Sequence, residues 1–275
     1  MSNYAASFFK RFFQFTAWTM ETPRPYGAFH LCLTAAGVTA AFFAAKKESR
    51  SGHCPQTTLF FCGLLLAVSE IYKQGFLYYI VNNSHYDWWY FPFQLCSVPM
   101  YLCLLLPLAD RLPAKSVSRV FCTFIQDFGL LGGIMALAEP SGLMHPYWTL
   151  TLHGFLWHFV LIFTGLYCAM KSTGRKGISG FLGTLPLFLL CCAIATGVNV
   201  LSHPYGNADM FYISPYYPNS QVIFHEIALT VGVTAGNVLY LLSVIAGGAA
   251  VHAANTFLFS AASADRRKSP PPPDF

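Results

Sequence analysis

The chain has 275 residues, of which 55% are hydrophobic and only 10% carry a charged side chain. Soluble domains carry about 25% charged residues, so this composition excludes a soluble globular protein and indicates a polytopic membrane protein. The net charge of +5 comes from basic residues that cluster beside predicted helix ends, where anionic lipid headgroups attract them. No basic and aromatic groove indicates a nucleic-acid partner.

Three regions follow one another along the chain. Residues 1–26 are rich in Phe and contain Lys10 and Arg11, which predicts an interfacial amphipathic helix rather than a signal peptide. Residues 27–252 form the predicted transmembrane helical domain. Residues 253–275 form a polar tail that ends in Ser-Pro-Pro-Pro-Pro-Asp-Phe and is predicted to be disordered.

Seven apolar runs have the length of about 20 residues that a helix needs to cross a bilayer. The predicted fold class is therefore an all-α, polytopic membrane helix bundle with about seven transmembrane helices, and the protein is predicted to be integral to a membrane. The short first run and Pro186 in the sixth leave six or eight spans open. The runs cover residues 27–45, 58–81, 90–109, 117–138, 148–170, 178–201 and 223–249.

Lys and Arg occur in every second loop between these runs and in the C-terminal tail. The positive-inside rule places loops one, three and five and the C-terminus in the cytoplasm. The same rule leaves the N-terminus outside, which conflicts with Lys10, Arg11 and Arg24. The basic groups are Lys46, Lys47 and Arg50; Arg111, Lys115 and Arg119; Lys171, Arg175 and Lys176; and Arg266, Arg267 and Lys268.

The third run opens with the stretch from Asp87 to Pro99, which contains four successive aromatic residues and Cys96. Aromatic rings anchor helix ends at the membrane–water interface. Pro92 suits the first turn of a helix, whereas Pro99 removes a backbone donor inside the run and predicts a kink around Cys96. Cys96 is then expected roughly 9 Å below the helix entrance.

Ionisable residues inside a membrane are costly, so each one is a candidate for function. Counted from the outer helix ends, Cys96, His158, Lys73 and Asp127 lie at similar depths of roughly 9–17 Å. Cys96 and His158 form a candidate nucleophile–base pair, with Asp127 or Glu70 as alternatives for orienting the imidazole. Alternatively, these polar side chains are buried only because they hydrogen-bond to one another, without a catalytic role. In the same way, Glu70 and Lys73 could form a purely structural ion pair.

Metal ions and cofactors are not expected. The nine cysteines show no CxxC spacing, so neither a zinc site nor a disulfide framework is indicated. The histidines are scattered, and no glycine-rich phosphate loop is present. Gly132-Gly133 is interpreted as a small-residue contact between helices.

Three short motifs occur in order: Phe-Pro-Phe-Gln-Leu-Cys-Ser at 91–97, Gly-Gly-Ile-Met-Ala-Leu at 132–137 with Pro140, and Phe-Leu-Trp-His at 155–158. With them the chain resembles the YwaF-like integral membrane family from about Trp18 to Val244. Animal relatives in that family are polytopic acyltransferases that move acyl chains between phospholipids. The resemblance implies that Cys96 is the acyl-accepting nucleophile and His158 its base. The chain departs from the family pattern Asn-Tyr-Met-Phe-Leu at residues 208–212.

The resulting hypothesis is a membrane acyltransferase whose partners are phospholipids and lysophospholipids. Cys96 and His158 are the predicted catalytic residues, and a supporting or substrate-binding role is predicted for Gln94, Lys73, Glu70, Asp127 and Asn199. One alternative is a transporter or lipid-binding protein that uses Glu70, Lys73, Asp127 and His158 as a proton or substrate relay. Another is a lipid hydrolase with the same nucleophile and water as acceptor.

Overall fold

The computed structural model describes residues 3–113 and 116–266, which form helices joined by short turns and contain no β-strand. An isolated bridge pairs Thr19 with Tyr147. The helices are α1 Asn3–Phe15, α2 Ala28–Ser49, α3 Pro55–Phe76, α4 Val98–Ala109, α5 Ser116–Phe124, α6 Leu130–Ala138, α7 Trp148–Lys171, α8 Ile178–Leu182, α9 Leu185–Ser202, α10 Val222–Val231 and α11 Val233–Arg266.

Among the described residues, six continuous helical stretches are long and apolar enough to cross a membrane, which confirms the predicted all-α bundle. The π-helical segments Leu77–Val81 and Ile125–Gly129 extend α3 and join α5 to α6. The predicted third span is shorter, because its helix occupies only Leu95–Ala109. The predicted seventh run is divided at Gly232, where a φ of +88° ends α10 before α11 begins. The six stretches are Ala28–Ser49, Pro55–Val81, Ser116–Ala138, Trp148–Lys171, Ile178–Ser202 and Val233–Phe259.

The start of α4 differs from the prediction. Pro99 lies in the first helical turn, where its missing N–H costs nothing, so it does not kink the interior of a helix. The chain before it forms two 3₁₀ turns, Trp88–Tyr90 and Leu95–Ser97. Pro92 lies between them rather than at a helix start. Cys96 therefore precedes the N-terminus of α4 instead of lying inside a bent span.

Glycines allow close helix contacts around α3, α6 and α7. A Cβ added at Gly63 in α3 would lie 2.8 Å from the Cβ of Cys103 in α4. One added at Gly133 would lie 3.2 Å from the carbonyl oxygen of His158 in α7. The predicted small-residue helix contact is thus found at Gly133, while Gly132 faces Cys96 at 3.7 Å. These contacts hold α6 against both α7 and the start of α4.

The two terminal regions extend the helical architecture. In α1, Phe13 is buried against Tyr72 and Phe76, while Phe12 and Phe15 are exposed, an amphipathic pattern that suits an interfacial helix. At the other end, α11 passes through the boundary predicted at residue 252 and ends at Arg266. Residues 267–275 of the predicted disordered tail lie outside the described residues.

Candidate functional site

A cavity of about 240 Å³ lies among the end of α3, the turns before α4, the start of α7 and the turn that contains Tyr212. It brings together five of the seven residues predicted from the sequence. These five are Glu70, Lys73, Gln94, Cys96 and His158.

Cys96 is held by backbone contacts from two neighbouring helices. Its carbonyl oxygen accepts a hydrogen bond of 3.1 Å from the indole N–H of Trp157, and Gly132 lets α6 approach its Cα. The side chain is partly exposed, and it lines the cavity two residues before the first residue of α4. The first N–H groups of a helix lack intrahelical partners, and the helix dipole favours negative charge there. This position therefore favours an oxyanion formed beside Cys96, whereas burial raises the pKa of the Cys96 thiol above its usual value, so that the thiol needs a base to take its proton.

The backbone determines the tautomer of His158. Its Nδ1 lies 2.6 Å from the carbonyl oxygen of Gly154, one turn earlier in α7. Because a carbonyl oxygen only accepts hydrogen bonds, Nδ1 carries the proton of a neutral ring, and Nε2 keeps its lone pair. Neither Asp127 nor Glu70, the two predicted orienting groups, holds the ring. His158 can therefore accept a proton in the cavity without a carboxylate behind it.

Glu70 and Lys73 form an ion pair with an Oε1–Nζ distance of 2.8 Å on one face of α3. Gln74 donates to the same carboxylate oxygen at 2.7 Å and to the carbonyl oxygen of Tyr90 at 2.6 Å. His153 Nε2 lies 4.0 Å from the second oxygen of Glu70. Gln74 thus ties α3 to the chain before α4, and the Glu70 carboxylate that it contacts faces α7.

Gln94 and Asn199 both hold the turn at residues 209–211. Gln94 donates to the carbonyl oxygen of Asp209 and accepts from the N–H of Phe211, both at 2.8 Å. Asn199 accepts from the N–H of Met210 at 2.6 Å and donates to its carbonyl oxygen at 3.1 Å. Asn199 does not line the cavity. Both amides therefore have a supporting role that the sequence could not specify.

The turn that they hold is strained. Phe211 and Tyr212 both have left-handed backbone conformations, with φ of 58° and 55°, which cost roughly 1–2 kcal/mol for each non-glycine residue. Such outliers persist where surrounding contacts over-determine them, and they cluster at functional sites. The consequence here is that Tyr212 lines the cavity beside Cys96.

Asp127 does not lie at the cavity, which corrects the expectation drawn from its depth. It is fully buried, and its Oδ2 lies 2.8 Å from Nδ1 of His252 in α11. His252 Nε2 lies 3.0 Å from the carbonyl oxygen of Gly177. The depth of a residue along a helix says nothing about the direction in which its side chain points, so equal depth did not bring Asp127 to Cys96.

Three cavity residues were missed or undervalued in the sequence. No role was predicted from the sequence for His153, Trp157 or Tyr212, all of which line the cavity. The signal for the first two is helical spacing: residues 153, 154, 157 and 158 follow the i, i+1, i+4, i+5 pattern of one helix face. For Tyr212 there was no such signal, because its placement depends on long-range hydrogen bonds to Gln94 and Asn199.

Comparison with known protein families identifies the chain. The sequence model of the TMEM164 family matches residues 21–249. The chain belongs to the TMEM164 family. With six helices long and apolar enough to span a bilayer, this TMEM164-family protein is an integral, multi-pass membrane protein. Searches of curated proteins and of solved structures find no match.

All residues that line the cavity of this TMEM164-family protein fall within the matched range. Its nine cysteines are free thiols. Within residues 3–113 and 116–266, no group of three or more His, Cys, Asp or Glu side chains is placed to hold a metal ion. The chemical groups that line the cavity therefore include a thiol, three imidazoles, an ion pair and the phenol of Tyr212.

Proposed function

We propose that this protein transfers fatty acyl chains between phospholipids through a thioester on Cys96. The observation that carries the proposal is the shared cavity of Cys96 and His158, in which the Gly154 carbonyl leaves Nε2 of the imidazole as the proton acceptor. The resemblance of residues 91–97, 132–137 and 155–158 to the YwaF-like family, whose animal relatives are acyltransferases, supports the same chemistry.

In the first half-reaction the Cys96 thiol gives its proton to Nε2 of His158, and the sulfur attacks the carbonyl carbon of a phospholipid ester. The carbonyl oxygen becomes an oxyanion as the C–S bond forms. When this intermediate collapses, the bond between the carbonyl carbon and the glycerol oxygen breaks. The glycerol oxygen takes the proton from His158, and a lysophospholipid leaves the acyl-cysteine behind.

In the second half-reaction the hydroxyl group of a lysophospholipid attacks the thioester. Its proton passes to Nε2 of His158, the C–S bond breaks, and the returning thiolate recovers that proton. A new phospholipid and the original thiol result. Water as the acceptor would give a fatty acid instead, by the same sequence of bonds.

The size and polarity of the cavity suit the ester region of a lipid. Sites that enclose whole small molecules usually measure about 300–1,000 Å³, so a cavity of about 240 Å³ accommodates the ester and nearby glycerol atoms. The acyl chains then lie outside it, among the helices and lipids. Lys73 places an ammonium group, paired with Glu70, at the cavity wall, and the start of α4 supplies backbone N–H groups for the oxyanion.

The relay hypothesis is less well supported, because its four groups do not meet. Lys73, Glu70 and His158 line the cavity, but Asp127 is buried against His252 in a separate contact. A continuous relay requires neighbouring groups that exchange protons or bind one substrate.

The test is intact-mass spectrometry of the purified protein after incubation with mixed phospholipids and lysophospholipids. The wild type should gain an acyl-sized, hydroxylamine-labile mass that Cys96→Ala lacks. Cys54→Ser removes an exposed thiol outside the cavity and should keep the adduct. Because His158 accepts a proton in both half-reactions, its replacement by Gln should slow both formation and turnover of the adduct. Full acyl transfer by Cys96→Ala, or no adduct in the wild type at any time during turnover, would overturn the proposal.

A further inference from the structure

We propose that Tyr212 is a substrate-contacting residue whose phenol hydroxyl donates a hydrogen bond to the carbonyl oxygen of the lipid ester while Cys96 attacks. The inference rests on the proposed acyl transfer and names a further group of the same site. Tyr212 follows the fifth of the long helical stretches, Ile178–Ser202, in the part of the chain that departs from the YwaF-like pattern, and no motif assigns it a role.

The first argument is the backbone that presents Tyr212. Two successive non-glycine residues, Phe211 and Tyr212, take left-handed conformations that glycine adopts without strain. Gln94 and Asn199 form hydrogen bonds to this turn from two different parts of the chain. Asn219 also donates to the carbonyl oxygen of Tyr212 at 2.7 Å. Strain maintained by this many converging bonds is typical of functional sites.

The second argument is the state of the phenol. Burial raises the pKa of Tyr212, with further contributions from the negative charges that Cys96 and Asp209 can carry. The phenol therefore keeps its proton at neutral pH and remains a donor. The Gln221 side chain is a hydrogen-bond partner of the phenol. Because its amide NH2 can donate to the phenol oxygen, the O–H hydrogen of Tyr212 can be directed to the substrate.

The third argument is that three neutral donors near Cys96 are engaged with other partners. The indole N–H of Trp157 donates to the carbonyl oxygen of Cys96, and the hydroxyl of Tyr101 donates to the carbonyl oxygen of Pro92. The amide of Gln94 holds the 209–211 turn. Preorganised donors aimed at a developing oxyanion commonly contribute more to catalysis than other groups, and Tyr212 is placed to be one.

The experiment measures the single-turnover rate of acyl-Cys96 formation from a phospholipid in Tyr212→Phe. We expect a fall of about 10²-fold, as for removal of one oxyanion donor. Tyr240→Phe is the matched control, because the Tyr240 ring packs edge-on against Tyr212 at 6.3 Å without lining the cavity. It should react at the wild-type rate. An unchanged rate in Tyr212→Phe overturns the inference while leaving the Cys96 thioester in place.

A second measurement separates oxyanion stabilisation from a purely structural role. A lipid alkyl halide alkylates Cys96 without forming a carbonyl oxyanion, so Tyr212→Phe should react with it as fast as the wild type. A parallel loss in alkylation would show that the substitution only disturbs the site, and would overturn the inference. If the wild type forms no acyl-cysteine but is alkylated normally, acyl transfer itself fails. Gln221→Leu, which keeps the phenol but removes its partner, should show a smaller loss confined to acylation.

Discussion

Asp127 and His252 share a proton, which shows how a buried ionisable pair is stabilised in this helix bundle. The contact of His252 Nε2 with the Gly177 carbonyl oxygen requires an N–H on that nitrogen. The contact of Nδ1 with Asp127 Oδ2 at 2.8 Å requires one more proton between them. Whether that proton resides on the ring or on the carboxyl group, the pair is neutral as a whole. The contact therefore avoids the cost of an isolated charge inside the membrane.

The shared proton predicts different effects on stability for substitutions of Asp127 and His252. Asp127→Asn supplies an amide N–H for Nδ1 and an oxygen for the 3.1 Å bond from Gln126, so the melting temperature should change little. His252→Ala leaves a buried carboxylate without its main partner and should cost about 3–5 kcal/mol, the typical penalty for breaking a buried pair. Thermal unfolding in detergent measures both. Equal damage from the two substitutions would contradict the shared-proton interpretation.

The same residues show what the sequence could reveal at this scale. The depth of a residue in the membrane can be predicted from the sequence, because each helical residue adds about 1.5 Å along the axis. Three residues predicted at similar depths, Cys96, Lys73 and His158, do line one cavity. The direction in which a side chain points around the helix axis cannot be predicted without knowing which helices pack against it. Asp127 therefore pairs with His252, for which the sequence suggested no partner.

At the scale of elements, the contact between α3 and α4 decides where Cys96 lies. The short helix α4 packs along α3, and Gly63 permits the approach, since a Cβ there would lie 3.0 Å from the backbone nitrogen of Leu104. Backbone atoms cannot rotate away as a side chain can. A larger residue at Gly63 must therefore push the two helices apart.

Gly63→Ala should lower the melting temperature even though alanine is the better helix former by about 1 kcal/mol. The matched control is Gly197→Ala in α9, where an added Cβ meets nothing within 4 Å. That substitution should leave the melting temperature unchanged or raise it. Thermal unfolding of both variants in the same detergent checks the prediction. A stabilised Gly63→Ala would show that the two helices can separate without loss of packing.

The long helices could be predicted from the sequence because they depend on local composition, whereas the turns around the cavity depend on prolines and on hydrogen bonds between distant residues. An apolar run of about 20 residues has few alternatives to a spanning helix. The run at 90–97 is equally apolar, yet its prolines and local hydrogen bonds favour 3₁₀ turns, as in the Ser97 N–H bond to the Gln94 carbonyl oxygen. The turn at 209–213 depends on amides more than ten residues away in sequence.

At the scale of the whole molecule, the distribution of basic residues among the loops predicts which face of the membrane the cavity lies toward. The cavity is lined by residues near the end of α3, near the start of α7 and in the turn before α10. The adjoining loops, residues 82–97, 139–147 and 203–221, contain no Lys or Arg, whereas the loops at the opposite helix ends carry Arg50, Arg111 and Arg175. Applied to these loops, the positive-inside rule predicts that the cavity lies toward the non-cytoplasmic face, whereas Lys10, Arg11 and Arg24 near the N-terminus favour the opposite orientation.

Cys54 offers a direct test of this sidedness, because it is exposed in the loop that follows Arg50. A membrane-impermeant maleimide should label it in vesicles whose cytoplasmic face is outward, and not in sealed vesicles of the opposite orientation. Cys54→Ser should lose that label, which separates it from labelling of the other cysteines. Labelling of Cys54 only from the non-cytoplasmic face would reverse the orientation. The cavity, and with it the leaflet from which Cys96 draws its lipid, would then belong to the cytoplasmic side.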